Sequence, residues 1–201
     1  MLKQANIAVL VSGGGTNLQA LIDAQNSGII TSGKISLVIS NNSDAYALVR
    51  AENNGIKTEV VSKKIFTDVN SFEHRIMHLL NENNIDVIVL AGFMCILSEN
   101  FTKTYADRII NVHPSLIPSF CGQGFYGLRV HQAALDYGVK VTGATVHFVN
   151  EIPDGGKIIL QKAVEICDGD TPEILQKRVM EQAEWIILPK AVELVCSDII
   201  K

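Results

Sequence analysis

The sequence predicts an α/β fold: a mostly parallel central sheet flanked by helices, with antiparallel strands in its C-terminal half. Three observations carry this reading. Short apolar runs alternate with stretches of helical periodicity through the first half of the chain. The first of these runs ends in a glycine cluster that leads directly into a helix-like stretch. Later, two β-rich runs, residues 141–149 and 157–166, are separated only by residues 150–156, a connection short enough to favour antiparallel pairing.

Taken in order, residues 7–11 (IAVLV) are apolar without interruption, as in a central strand buried on both faces. Ser12-Gly13-Gly14-Gly15-Thr16-Asn17 follows, and Leu18, Leu21 and Ile22 then recur at helical spacing. A second strand covers residues 35–40, and a helix over about 45–53 stops at Gly55. A third strand at 58–61 precedes an amphipathic helix with Phe72, Ile76, Leu79 and Leu80 on one stripe. The fourth strand, residues 86–90, runs into Ala91-Gly92-Phe93-Met94. A short helix near 99–105 leads to a fifth strand ending in Asn111-Val112-His113-Pro114. Beyond a glycine-rich stretch at 121–124 comes a helix over about 128–137, and then the two β-rich runs. A last helix begins near Thr171-Pro172-Glu173 with a capping-box-like start and runs to the C-terminus. There is no repeat, linker or low-complexity segment, so residues 1–201 read as a single domain.

Of the 201 residues, 47% are hydrophobic and 19% charged, enough apolar side chain for a large core and too much for disorder. A net charge of −4 argues against a general nucleic-acid binder while leaving room for a local anion pocket. The four cysteines, at 95, 121, 167 and 196, form neither a CxxC pair nor a metal-ligand spacing and read as the reduced thiols of a cytosolic protein. The first apolar run is too short for a signal peptide and no later one is long enough to span a bilayer, so a cytoplasmic protein with no membrane contact is expected. His74 and His78 lie four residues apart, but without the adjacent Glu of a zinc helix they read as a solvated face.

Two stretches carry chemistry. A glycine cluster between a strand and a helix lets backbone N–H groups approach an anion at the helix N-terminus, and Thr16 and Asn17 add side-chain donors. Leu18 occupies the third-glycine position of a dinucleotide fingerprint, and Ser40-Asn41-Asn42 stands where its acidic residue would be. No Lys follows the last glycine, as a P-loop requires. The choice is therefore between a phosphate monoester site and a tight turn that binds nothing. In the second stretch, Asn111 and His113 alternate along a strand and leave it on one face, at the carboxyl end where open α/β sheets place their crevice. Asp154-Gly155-Gly156 sits in the later inter-strand connection, placed to lay a carboxylate against that crevice and raise the pKa of the imidazole. Such an Asn–His–Asp set suits attack on a carbonyl carbon. The plainer alternatives are a strand end whose polar groups cap loop backbone, and an ordinary Asp-Gly turn.

These residues carry a resemblance. The Ser12–Ala20 segment (SGGGTNLQA), Leu90-Ala91-Gly92-Phe93-Met94, Asn111-Val112-His113-Pro114-Ser115-Leu116, and Thr145-Val146-His147-Phe148-Val149 with Asp154-Gly155-Gly156 occur in order over nearly the whole chain. In this the chain resembles the phosphoribosylglycinamide formyltransferases, folate-dependent enzymes of purine biosynthesis. The Asn-x-His-Pro-Ser and Asp-Gly-Gly motifs belong to 10-formyltetrahydrofolate enzymes generally, and the Ser-Gly-Gly-Gly-Thr-Asn-Leu-Gln stretch narrows the match. The resemblance implies a Rossmann-like formyltransferase fold, with substrate phosphate held by the N-terminal half, folate by the C-terminal half and the catalytic crevice between. It assigns catalysis to Asn111, His113 and Asp154, with protonated His113 and Asn111 holding the oxyanion. It assigns the ribonucleotide to Gly15, Thr16, Asn17 and Glu184, and the pterin of 10-formyltetrahydrofolate to Met94, Cys95, Ile96, Leu97 and Asn111. No metal is required.

Departures from the family accompany the match. Cys95 and Val69 stand where the family usually has Arg, which removes two cations from the expected path of the folate tail. The loop at 121–127 is a few residues longer, and the alignment around Glu184 slips by one residue. Two other readings compete: a 10-formyltetrahydrofolate hydrolase using the same three residues, and a non-catalytic phosphate-binding module. The hydrolase type carries an N-terminal regulatory domain, and an initiator-tRNA formyltransferase needs a C-terminal RNA-binding domain, so transfer to glycinamide ribonucleotide is the expectation.

Overall fold

The computed structural model describes residues 3–201; the first two residues, at the head of the stretch tested for a signal peptide, lie outside the described residues. Seven strands form one sheet in the order β3-β2-β1-β4-β5-β6-β7. β1 (Ala5–Val11), β2 (Gly33–Ser40), β3 (Lys57–Val60), β4 (Val87–Leu90) and β5 (Ile109–His113) pair in parallel. β6 (Val141–Phe148) and β7 (Ile158–Glu165) continue the sheet antiparallel, as the short connection between them predicts.

The central parallel strands β1 and β4 are almost wholly apolar and buried because helices cover both faces of the sheet. On one side α1 (Thr16–Asn26), α2 (Tyr46–Asn53), α6 (Pro172–Val179) and α7 (Trp185–Ile199) pack Leu18, Leu21, Ala47, Leu175 and Leu188 against Ile7, Val9, Val38 and Val89. On the other, α3 (Val69–Glu82) and α4 (Glu99–Thr104) bring Phe72, Ile76, Leu79 and Phe101 onto Ala8, Leu10, Ile39 and Ile88. Complete burial of such side chains contributes about 1.5–3 kcal/mol each. Asp68 and Ser98 cap α3 and α4 by accepting from the N–H groups of Ser71 and Phe101, which starts each helix at a defined residue. α5 (Leu128–Tyr137) follows the long loop and ends at Gly138 in the left-handed conformation.

Two elements depart from the sequence reading. A 3-10 turn, Lys63–Ile65, intervenes before α3. The last helix is not continuous: a π turn at Met180–Glu184 separates α6 from α7. No helix of the described residues is long and apolar enough to cross a membrane.

β1 is flanked by β2 on one side and β4 on the other, so the connections leaving β1 and β4 diverge and open a crevice beyond the carboxyl ends of the strands. The glycine turn leaves β1, residues 91–97 leave β4, and Asn111 and His113 close β5, all at that edge.

Candidate active site

Strand register builds the centre. Asn111 pairs with His147 across β5 and β6, and His113 pairs with Thr145. Asn111 Nδ2 lies 3.2 Å from His147 Nε2, and His147 Nδ1 lies 2.7 Å from the Phe148 carbonyl. A carbonyl only accepts, so His147 donates to it through Nδ1, and its Nε2 faces the Asn111 amide and Asp154 Oδ1. One side of the Asn111 amide group is thereby engaged, and the rest of it is left for a substrate oxygen. His147 was not singled out in the sequence, because its alternation along β6 gives no hint that its cross-strand partner is Asn111.

Asp154 reaches both histidines: Oδ2 is 3.4 Å from His113 Nδ1 and Oδ1 is 3.6 Å from His147 Nε2. Its turn is built for this. Asp154 has a positive φ of 57°, and a side chain at Gly156 would put its Cβ 1.7 Å from the Phe148 carbonyl oxygen. The backbone at Gly156 therefore packs directly against the end of β6. The long loop at 121–127 contributes as well, since Gly122 N–H donates to Asp154 Oδ2 at 2.8 Å. Burial works to raise the Asp154 pKa, but attraction to His147 and His113 together with the Gly122 N–H holds it below the usual carboxylate value.

For His113 the sequence expectation is reversed. Nδ1 faces Asp154 and Nε2 donates to the Phe120 carbonyl at 2.9 Å, an arrangement that favours the charged ring. Burial outweighs both: His113 is 4% exposed, and its pKa is lowered from the ordinary value, by desolvation first, against the opposing pull of Asp154 and Phe120. His147 adds to the lowering. Behind it, His131 is almost fully buried with neither ring nitrogen hydrogen-bonded among the described residues, and desolvation pulls its pKa down to about 4. Cys121 is no nucleophile in waiting, because burial and the Asp154 charge push its thiol pKa up.

Two cavities meet at these residues. A crevice of about 590 Å³ is lined by Met94, Asn111, His113, Tyr126 and Asp154. A slot of about 140 Å³ beside it is walled by Leu90, Leu97, Val149 and Ile152, with Asn111 and His147 at its inner end. Phe93, Cys95 and Ile96 border both. Met94 and Ile96 are 59% and 73% exposed, whereas Leu97 is buried in the core below. The segment is tied down from two directions: Met94 N–H donates to Ser12 Oγ at 2.8 Å, and the buried Glu73 accepts from Ser98 N–H at 2.7 Å and from its hydroxyl. Cys95 Sγ accepts from Asn41 Nδ2 at 3.0 Å. Among the described residues, no Lys or Arg lines either cavity. Val69 opens α3 and is half-exposed.

At the other end of the crevice edge lie Gly15, Thr16 and Asn17. Gly15 is left-handed at φ 72° and its N–H precedes the first turn of α1. Asn17 Nδ2 donates to Glu184 Oε2 at 2.7 Å, while Asn17 Oδ1 is buried with no partner among the described residues. Burial raises the Glu184 pKa to about 6, against the pull of Asn17. Glu184, from the C-terminal half, thus serves the glycine turn of the N-terminal half, and residues 90–97 and 147–154 share the slot, so each subsite draws on both halves. His78 pairs with Glu82 on the exposed face of α3, and His74 is exposed beside it.

Against known proteins, a family profile described as formyl transferase matches residues 5–192. The chain belongs to the formyl transferase family. Among its relatives is the phosphoribosylglycinamide formyltransferase of Haemophilus influenzae, 45% identical over 93% of this chain and 85% of that protein. The human trifunctional purine biosynthetic protein adenosine-3 is also 45% identical, over 99% of this chain, but the chain spans only 19% of its length. Among solved structures, glycinamide ribonucleotide transformylase 1 of Symbiobacterium toebii superposes with a TM-score of 0.91 at 38% identity, covering 97% of this chain and 89% of that one. A formyl transferase fold accordingly carries the site just described, and folate is the co-substrate that such a family implies.

Proposed function

We propose that the protein transfers the formyl group of 10-formyltetrahydrofolate to the amine of 5'-phosphoribosylglycinamide. The products are formylglycinamide ribonucleotide and tetrahydrofolate, a step of de novo purine (IMP) biosynthesis in the cytoplasm. The observation that carries this reading is the convergence of Asn111, His113, His147 and Asp154 at the junction of a slot with apolar walls and an open crevice. Glycinamide ribonucleotide and the formyl-folate are the partners, with no nucleic acid or membrane in the reaction, and residues 1–201 act as one formyltransferase unit.

The slot suits a pterin: Leu90, Leu97, Val149 and Ile152 offer apolar walls, and the Met94–Leu97 backbone offers polar edges. 10-Formyltetrahydrofolate supplies an activated formyl carbon there. Asn111, with its amide oriented by His147, points its free N–H at the formyl oxygen as charge gathers on it. His113 moves the proton. Its lowered pKa makes it a readier proton donor, and Asp154 stabilises the ring when it is charged. Both of its nitrogens are engaged, so it must release the Phe120 carbonyl to reach the reacting centre. On the substrate side, Gly15 and Thr16 present backbone donors to the phosphate. The Glu184 carboxylate and the unpartnered Asn17 Oδ1 are acceptors, the complement of ribose hydroxyls.

A spectrophotometric assay of 10-formylfolate deformylation, run with and without glycinamide ribonucleotide, tests this. Turnover that requires the amine supports transfer. Equal turnover without it identifies a hydrolase, and folded protein inert under both conditions leaves a binding module.

A further inference from the structure

The glycine turn does not hold its own shape. A Cβ at Gly13 or Gly14 would meet nothing within 4 Å, so side-chain packing leaves both peptides free. They are held from α2. Gly13 O accepts from Ala47 N–H at 3.1 Å, and Gly14 O accepts from Arg50 Nε–H at 2.8 Å. In a trans peptide the C=O and the following N–H point in opposite directions. Each carbonyl drawn toward α2 therefore turns the next N–H, that of Gly14 or Gly15, away from it. Gly15 seats the turn on α2: a Cβ there would lie 2.6 Å from Ala47 Cβ, and only a left-handed glycine fits. The N–H groups of Gly14, Gly15, Thr16 and Asn17 have no acceptor among the described residues, which leaves four donors presented together.

Arg50 is the one side chain in this arrangement. Its Nη1 donates to Gln19 Oε1 at 3.1 Å, and its guanidinium lies 5.0 Å from the centre of the Tyr46 ring. It thus joins α2, the glycine turn and the first turns of α1, and places a fixed positive charge under the donors.

We infer that Arg50 is the positioning residue of the phosphate subsite: it aims the Gly15 N–H by holding the Gly14 carbonyl, and it reinforces the field on the bound dianion from behind. This rests on the glycine turn being the phosphate subsite proposed above. Lys cannot replace it, because a single ammonium does not span two acceptors from a stacked, planar fork.

The test compares glycinamide ribonucleotide with its dephosphorylated riboside as acceptor, in wild type, Arg50→Lys and Arg50→Gln, with inorganic phosphate as competing inhibitor. Loss of a charge-assisted hydrogen bond predicts that the variants raise the ribonucleotide KM and the phosphate inhibition constant by about 10- to 100-fold. The riboside kcat/KM and the folate KM stay at wild-type level. An unchanged phosphate inhibition constant, or an equal fall for both acceptors, overturns the role of Arg50. A wild type that does not prefer the ribonucleotide overturns the phosphate subsite itself, which is a separate result.

Discussion

The two ends of the crevice handle charge by opposite means. The glycine turn presents backbone N–H groups, which do not titrate and are anchored from α2. The β5–β6 end gathers His113, His147 and Asp154, titratable side chains taken out of water. The first is a fixed field suited to an anion that stays charged throughout. In the second, the protonation states of His113 and Asp154 are set by a contest between burial and neighbouring charge, suited to a step in which a proton changes hands. Substrate capture should therefore vary little with pH, apart from Glu184, while turnover should vary strongly.

The largest effect that sharpens this contrast is expected at Asp154. Asp154→Asn removes the charge that supports an imidazolium and exchanges an acceptor for a donor facing two rings. Steady-state kinetics should show kcat reduced about 10²- to 10⁴-fold with the ribonucleotide KM nearly unchanged. A drop confined to KM would move Asp154 from chemistry to binding.

Next in size is a contrast between glycines. Gly156→Ala drives a methyl into the Phe148 carbonyl and should cost about 2–4 kcal/mol in denaturant unfolding, together with most of the activity. Gly13→Ala meets open space and should stay within about 0.5 kcal/mol of wild type. Equal costs would remove the distinction between a backbone packed against a strand and one that is free above.

How far these features were legible depends on how local they are. The glycine turn reads from sequence because strand, glycines and helix are consecutive, and Asn111 and His113 read because two-residue alternation fixes their common face. Asp154 was legible only as a motif; what makes its glycines necessary is the contact with Phe148, a strand away. The pairing of Asn111 with His147 depends on β5–β6 register, and the Glu73–Ser98 clamp on packing of α3 against the loop after β4. Neither leaves a local signal. The sequence points the wrong way on the His113 pKa because a neighbouring carboxylate shows in it and burial does not.

The smallest effect concerns the one titrating group at the phosphate end. Glu184 has its folded pKa raised to about 6 from the ordinary value of 4.5, so its contribution to stability is fully present below about 4.5 and lost as pH rises through about 6. Glu184→Gln should remove that loss, seen as a flatter dependence of the unfolding midpoint on pH. The same substitution should raise the ribonucleotide KM several-fold and abolish its improvement between about pH 5 and 7, as a carboxylate accepting from ribose hydroxyls requires. A KM profile that keeps its inflection in the variant would assign the titration to another group.

The most direct test of the account is amine-dependent formyl transfer by His113→Ala at saturating glycinamide ribonucleotide and 10-formylfolate. A His113 that moves the proton predicts kcat reduced about 10²- to 10⁴-fold in a variant that still folds, with the folate KM close to wild type. Wild-type kcat in the folded variant would contradict it, and the chemistry would then have to be carried without this imidazole.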